Sequence, residues 1–163
     1  MCGISGYLLD EIPPNVDKIF DTLSHRGPDD KGFYKEKINQ GYFGLYHRRL
    51  SIYDLSKNAS QPIKSECGNF VISFNGAIYN YKKLWETFKK NKEEECRSDT
   101  KVLIEAISKW DTFETWKRLS GMFAIAVVDR NKACLKLVRD RIGQKPLFYV
   151  INPKINDKTY RGI

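Results

Sequence analysis

Met1-Cys2-Gly3-Ile4-Ser5-Gly6-Tyr7-Leu8-Leu9 begins the chain, with a cysteine in second place and a strand-like run behind it. A side chain as small as that of cysteine permits removal of the initiator methionine. Cys2 would then hold a thiol and a free α-amine on one residue. The thiolate is the attacking form of a thiol, whose pKa lies near ~8.5. An α-amine titrates near ~7.7–8.0, so part of it is unprotonated at neutral pH and can accept the thiol proton, directly or through one water. Gly3 to Leu9 reads as a strand, so the expected fold begins with a strand that starts at the nucleophile.

The 163 residues suit a single domain, residues 2–163, long enough to bury a sizeable core. Hydrophobic residues at 41% and aromatics at 13% point to a globular fold. The four cysteines (Cys2, Cys67, Cys96 and Cys134) are widely spaced and accompanied by only two histidines, so no metal site is expected. No apolar run approaches the ~18 residues of a membrane span. The N-terminal segment lacks the basic leader and cleavage pattern of a secretory signal. Free thiols suit a reducing cytoplasm, which is the expected setting. The net charge of +8 admits nucleic acid or acidic partners. Yet the lysines from Lys82 to Lys101 are interrupted by Glu93, Glu94 and Glu95, as on a solvated helix and its following loop, and no nucleic-acid-binding motif accompanies them. Neither a nucleic-acid partner nor membrane association is expected.

Pro13-Pro14-Asn15 opens a helix whose Val16, Ile19, Phe20 and Leu23 keep the i, i+3, i+4, i+7 spacing. His25 to Asp30 reads as a turn from its Gly27-Pro28-Asp29 chemistry. Gly41 to Ile52 and Asn69 to Phe74 are rich in aromatic and β-branched residues and read as strands. Asn80 is placed to cap a helix with Tyr81, Leu84, Trp85 and Phe88 on one face. Ser98 is placed to cap another, striped by Val102, Leu103, Ala106, Ile107 and Trp110. Met122 to Val128 and Ala133 to Val138 flank Asp129-Arg130-Asn131-Lys132, the composition of a hairpin turn. Strands, then helices, then strands predict an α+β fold with helices outside antiparallel sheets.

Short segments in a fixed order change the weight of Cys2. They are Cys2-Gly3-Ile4-Ser5-Gly6, His25-Arg26-Gly27-Pro28-Asp29, His47-Arg48-Arg49-Leu50-Ser51-Ile52, Phe74-Asn75-Gly76-Ala77-Ile78-Tyr79-Asn80 and Arg97-Ser98-Asp99-Thr100. Gly121-Met122-Phe123-Ala124 and the run from Arg139 to Tyr149 complete the set. In this order and spacing the chain resembles, over almost its whole length, the glutamine-hydrolysing domain of asparagine synthetases, a class II glutamine amidotransferase of the N-terminal nucleophile type. The resemblance implies a four-layer αββα sandwich, the N-terminal nucleophile hydrolase fold, with its last strands falling beyond residue 163. It also implies an enzyme that hydrolyses glutamine to glutamate and ammonia with Cys2 as nucleophile.

The matched positions imply further roles. Arg49 takes the α-carboxylate of glutamine, which a guanidinium can bond bidentately. Asp99 takes the α-ammonium, although an acid there equally suits a helix N-terminus. The Asn75 side-chain amide and the Gly76 N–H form an oxyanion hole, a pair that otherwise reads as a plain turn. Leu50 and Ile52 line the substrate, while Arg26 and Asp29 support the site from a turn beside the nucleophile. His25 and His47 receive no role, because the α-amine supplies the base.

Three departures accompany the resemblance. Ala77 stands where the family usually has glutamate, which leaves Asp99 alone with the ammonium. Lys101 replaces a glutamate that would close a capping box with Ser98. No pyrophosphate-binding loop is present, so no cofactor is expected in this chain; ATP and Mg would belong to a synthetase domain. The polar stretch from Asn152 to Tyr160 reads as a loop, and missing strands would leave sheet edges exposed. Beside an amidotransferase that serves a sugar or cell-surface modification instead of asparagine, which this domain alone does not separate, two readings stay open. One is a glutaminase passing ammonia to a separate ATP-dependent synthetase chain; the other is an inactive remnant that holds glutamine or a partner without turnover.

Overall fold

The computed structural model describes residues 2–39, 41–50, 60–88, 96 and 98–163, apart from the side chain of Ile19. β1 (Gly3–Leu9), β2 (Asp30–Ile38) and β3 (Gly41–Arg49) form an antiparallel sheet in the order β1-β3-β2. β4 (Ile63–Lys64), β5 (Phe70–Ile78), β6 (Gly121–Asp129) and β7 (Cys134–Arg139) form a second antiparallel sheet in chain order.

Side chains alternate across a strand, so each sheet has two faces to cover. Phe43 and Leu45 of β3, with Leu8, Tyr34 and Ile38, meet Val71, Ala126 and Val128 between the sheets. The outer face of the first sheet packs Tyr7 and Leu9 against Val16 and Phe20 of α1 (Val16–Asp21) and against Tyr160. On the outer face of the second, Ile72, Phe74, Phe123, Ile125 and Val127 lie under α2 (Tyr81–Glu86) and α3 (Asp99–Arg118). The layers run helix, sheet, sheet, helix, and the α+β sandwich expected from the sequence is the fold observed. At one end Arg130, just after β6, grips Glu36 of β2 with two hydrogen bonds of 2.7 and 2.5 Å. The guanidinium draws the Glu36 carboxyl down to about 2. This pair staples the sheets together at the end remote from Cys2.

Several local expectations change. β2 begins at Asp30, the last residue of the expected turn, and runs on through a stretch for which the sequence predicts no element; its positions alternate between half-buried and exposed, with Lys31, Lys35 and Lys37 on the exposed side. β5 runs on past Phe74 through Asn75, Gly76 and Ala77, and Tyr79 still donates to the Ser120 carbonyl at 2.7 Å. Asn75-Gly76 is therefore strand, not turn. Asn80 does not cap α2; its amide donates to the Arg118 carbonyl and accepts from the Ser120 N–H, joining the two ends of the α2–α3 excursion. Ser98 caps α3 as expected, accepting from the Thr100 N–H at 3.2 Å. Lys101 finds the Trp85 ring at 5.9 Å, a cation–π contact that gives the lysine a partner at this helix start.

α3 is also broken at Asp111, whose φ of 67° is non-helical. The Asp111 carboxylate accepts from the Phe113 and Glu114 N–H groups at 2.7 and 3.1 Å and so starts a second helical segment. The tail read as a loop forms a small hairpin, β8 (Lys154–Ile155) and β9 (Lys158–Thr159), and buries Tyr160. Leu8 and Ile163 then exchange backbone bonds of 2.6 and 2.8 Å, covering part of the β1 edge. Among the described residues β2, β4 and β7 remain outermost strands.

Candidate active site

Register brings the ends of β1 and β3 together. Gly3 lies opposite Arg48, which sets Cys2 beside Arg49 at the mouth of the inter-sheet space. The Cys2 thiol is half-buried, with Sγ 3.9 Å from the Leu50 carbonyl. Arg49 is buried, 7% exposed, and its carbonyl accepts from the Asp29 N–H at 3.1 Å. That bond ties the 25–29 turn to the end of β3. Arg26 lies on the outer face behind the nucleophile, where a Cβ on Gly3 would come within 3.1 Å of the Arg26 Cβ. Arg48 is engaged elsewhere, in an ion pair with Asp21. Ile52 falls outside the described residues.

β5 crosses opposite. The Ser73 hydroxyl donates to the Tyr46 carbonyl at 3.2 Å, and His47 Nε2–H donates to the Phe74 carbonyl at 3.2 Å. These contacts set Asn75 against the Cys2 end of the first sheet. The edge of β5 explains what Asn75 and Gly76 can do. In an antiparallel strand, both backbone groups of alternate residues point to the same side. Tyr79 bonds to Ser120 and Asn69 to Arg130 of the β6 segment, so the even-numbered residues of β5 turn to the other edge. Ile72 is paired there with Ile63 of β4. Beyond β4, side chains take over: the Phe74 N–H donates to Gln61 Oε1 at 2.6 Å, and the Ile78 N–H donates to Asp99 Oδ2 at 3.1 Å. Between them, the Gly76 N–H has no acceptor among the described residues, and neither does the Asn75 side-chain amide. Among the described residues, two donors from adjacent positions are therefore left without an acceptor on this side of the strand.

Only glycine fits at position 76. Its φ is +157°, and an added Cβ would stand 2.0 Å from the Met122 carbonyl oxygen. Asp140 holds the neighbouring strand at this level. Its carboxylate accepts from the Phe123, Gln144 and Lys145 N–H groups at 3.1, 2.8 and 2.9 Å, and Phe123 is the register partner of Gly76. Burial pushes the Asp140 carboxyl up, but those bonds outweigh it and hold it below its usual range.

Asp99, at the first turn of α3, closes the row. Burial raises its carboxyl above the ordinary value despite the bonds from Ile78 and Thr100. His47 is buried as well, and burial lowers it to about 4, so the ring is neutral near pH 7. Sequence reading gave neither His47 nor Gln61 a role; both prove to be braces that hold Phe74 beside Asn75. Their partners lie 27 and 13 residues away, so no local pattern announces them. The buried histidine makes a testable contribution to stability. Its folded pKa lies below the unfolded value of ~6.5, so the unfolded chain protonates first as pH falls. Stability should be fully present above pH ~6.5 and decline toward pH ~4, by up to roughly 3 kcal/mol from this group. Urea unfolding across that window checks it, with His47→Gln removing the histidine's share of the slope.

The family model of the glutamine amidotransferase domain matches residues 1–159. The chain belongs to that family. Among curated amidotransferase relatives, "Putative asparagine synthetase [glutamine-hydrolyzing] 2" of Methanocaldococcus jannaschii is 34% identical across 91% of this chain and 32% of its own length. "Asparagine synthetase [glutamine-hydrolyzing] 2" of Bacillus subtilis is 37% identical across 91% of this chain and 20% of its own. The chain thus spans a fifth to a third of these relatives. Among solved structures, the glutamine phosphoribosylpyrophosphate amidotransferase of B. subtilis superimposes with a TM-score of 0.54 over 77% of this chain and 35% of that one, at 18% identity. That likeness shows the N-terminal nucleophile fold. No described helix is long and apolar enough to cross a membrane, and no described cluster of His, Cys, Asp and Glu could hold a metal.

Proposed function

We propose that this amidotransferase domain hydrolyses glutamine at Cys2 and supplies ammonia to an asparagine synthetase-type reaction. The observation that carries the reading is the open pair of donors, Asn75 amide and Gly76 N–H, set opposite the start of β1. After loss of Met1, the α-amine takes the Cys2 thiol proton and the thiolate attacks the glutamine amide carbon. The oxyanion that forms bonds to Asn75 and Gly76, where preorganised donors act most strongly. Collapse breaks the C–N bond, and the protonated α-amine returns its proton to the departing ammonia. Water then cleaves the γ-glutamyl thioester to glutamate. Arg49 receives the substrate α-carboxylate and Asp99 the α-ammonium. Leu50 and Ile52 line the substrate, and Arg26 and Asp29 hold the nucleophile end of β3.

This half-reaction needs no cofactor. The ATP-dependent steps belong to a synthetase on another polypeptide or another part of one, in a reducing compartment that keeps Cys2 free. Release of glutamate and ammonia from glutamine by the purified protein tests the proposal; a processed, folded protein without turnover would leave the remnant reading in possession.

Asp99 gives a second, sharper check. Its raised carboxyl means that this group's own contribution to ligand-free stability is fully present below the unfolded value of ~3.9 and is lost as pH rises through the folded value. The ionised form at pH 7 is therefore costly until a cation joins it. Asp99→Asn should unfold no earlier than wild type at pH 7, yet raise KM for glutamine roughly 10–100-fold through loss of a charged hydrogen bond. Unchanged KM, measured alongside the melting temperature, would remove Asp99 from substrate binding.

A further inference from the structure

We propose that the groove between β7 and the second segment of α3 is a docking site for an extended acidic peptide, which adds to β7 as an extra strand. The groove is about 430 Å³ and contains Asp111, Phe113 and Trp116 on the helix side, Lys132 in the β6–β7 turn, and Lys136 and Arg139 along the strand. Its edge is open for a definite reason. Asp140 N–H bonds to the Phe123 carbonyl, so the even-numbered residues of β7 face β6 and the odd-numbered ones face outward. Trp116 Nε1–H donates to the Arg139 carbonyl at 3.3 Å, which confirms that this carbonyl points away from β6. Leu135 and Leu137 present their backbone groups on the same side, and no described residue bonds to them there. An exposed strand edge beside an apolar groove is the geometry of strand-addition recognition: main-chain bonds supply affinity and the groove selects side chains.

Charge selects the occupant. Five cations stand along the groove and its rims, Lys132, Lys136, Arg139, Lys117 4.3 Å over the Phe113 ring and Arg141 5.9 Å over Trp116, against the three described acids Asp111, Asp129 and Glu114. Of these acids, Asp111 caps its own helix and faces Lys136 and Lys132, Asp129 pairs with Lys136 and Glu114 with Lys117, so positive charge is left in excess. Phe113 is 59% exposed, with Lys117 over its ring and Trp116 beside it. A segment alternating carboxylates with β-branched or aromatic side chains fits both features. Helix α3 breaks at Asp111, and the segment after the break carries both Phe113 and Trp116.

The site stands apart from Cys2, so its test is independent of glutamine chemistry. The probe is a fluorescein-labelled peptide of about eight residues that alternates glutamate and valine around a central phenylalanine, compared with its lysine-for-glutamate and backbone N-methylated versions. The glutamate peptide should bind, weaken as salt rises from about 50 to 500 mM, and slow hydrogen exchange at the Leu135 and Leu137 amides. Lys132→Glu should weaken it roughly tenfold, because a rim attraction becomes a repulsion. The N-methylated peptide should not bind. Equal binding of the lysine peptide, no binding of the glutamate peptide, or binding without protection at Leu135 and Leu137 would each overturn the proposal. Phe113→Ala, at an exposed position, provides a second variant whose fold is retained and whose affinity should fall.

Discussion

Cys2→Ala is expected to abolish ammonia release from glutamine while the melting temperature stays within a few degrees of wild type. The thiol is half-buried and makes only a long 3.9 Å contact to the Leu50 carbonyl, so its removal takes little from the fold. The chemistry, in contrast, has no substitute. Cys67 is exposed on the β4–β5 loop, bonded to Ser65, and Cys96 and Cys134 lie on the helix side of the second sheet. None adjoins Asn75. Loss of the nucleophile in enzymes that use one costs as much as loss of the whole catalytic set, often ~10⁶ in rate. The same logic predicts that a protein retaining Met1 is inactive although its thiol is intact, because Cys2 then has an amide nitrogen and no base.

Asn75→Ala carries the second large effect. It should lower kcat by ~10²–10³, about 3–4 kcal/mol of transition-state stabilisation, with a smaller change in KM. Its backbone bonds to β6 do not involve the side chain, so the variant should fold. Gly76→Ala should behave differently. A Cβ at 2.0 Å from the Met122 carbonyl and 2.8 Å from the Phe123 Cα must push β5 and β6 apart. It should therefore destabilise the protein by roughly 3 kcal/mol or more, as overpacking and strain do, and lose activity through the fold. The contrast separates a donor from a scaffold: activity without stability for Asn75, both together for Gly76. Kinetics and thermal unfolding on the same preparations read it.

Much of this candidate site is legible in the sequence because its residues sit in short motifs with unusual side-chain combinations. Cys2, Arg49, Asn75, Gly76 and Asp99 could each be read as something ordinary, and their order along the chain gave them meaning. The structure places Cys2 beside Arg49 by register and Asn75 opposite them by the cross-sheet bonds of Ser73 and His47. What escaped reading was non-local. Asn-Gly is a common turn pair, and only the tertiary pairing of β5 with β6 makes it strand and sends the Gly76 N–H to the edge away from β6. Gln61, His47 and Asp140 act through backbone groups far along the chain, which no periodicity reports. β2 went unread because charges occupy its exposed positions, as suits an edge strand. The α3 break depends on Asp111, a residue whose side chain competes for backbone N–H groups wherever it sits. Helices α2 and α3 were foreseen because their apolar stripes are local.

The most direct measurement is intact-mass spectrometry of the protein purified from its native cells, before and after treatment with an electrophilic glutamine analogue. The expected result is a chain lacking Met1, a single adduct that peptide mapping places on Cys2, and glutaminase activity that falls in step with labelling. A chain that keeps Met1, or a processed chain whose adduct forms elsewhere while Cys2 stays free, would contradict it.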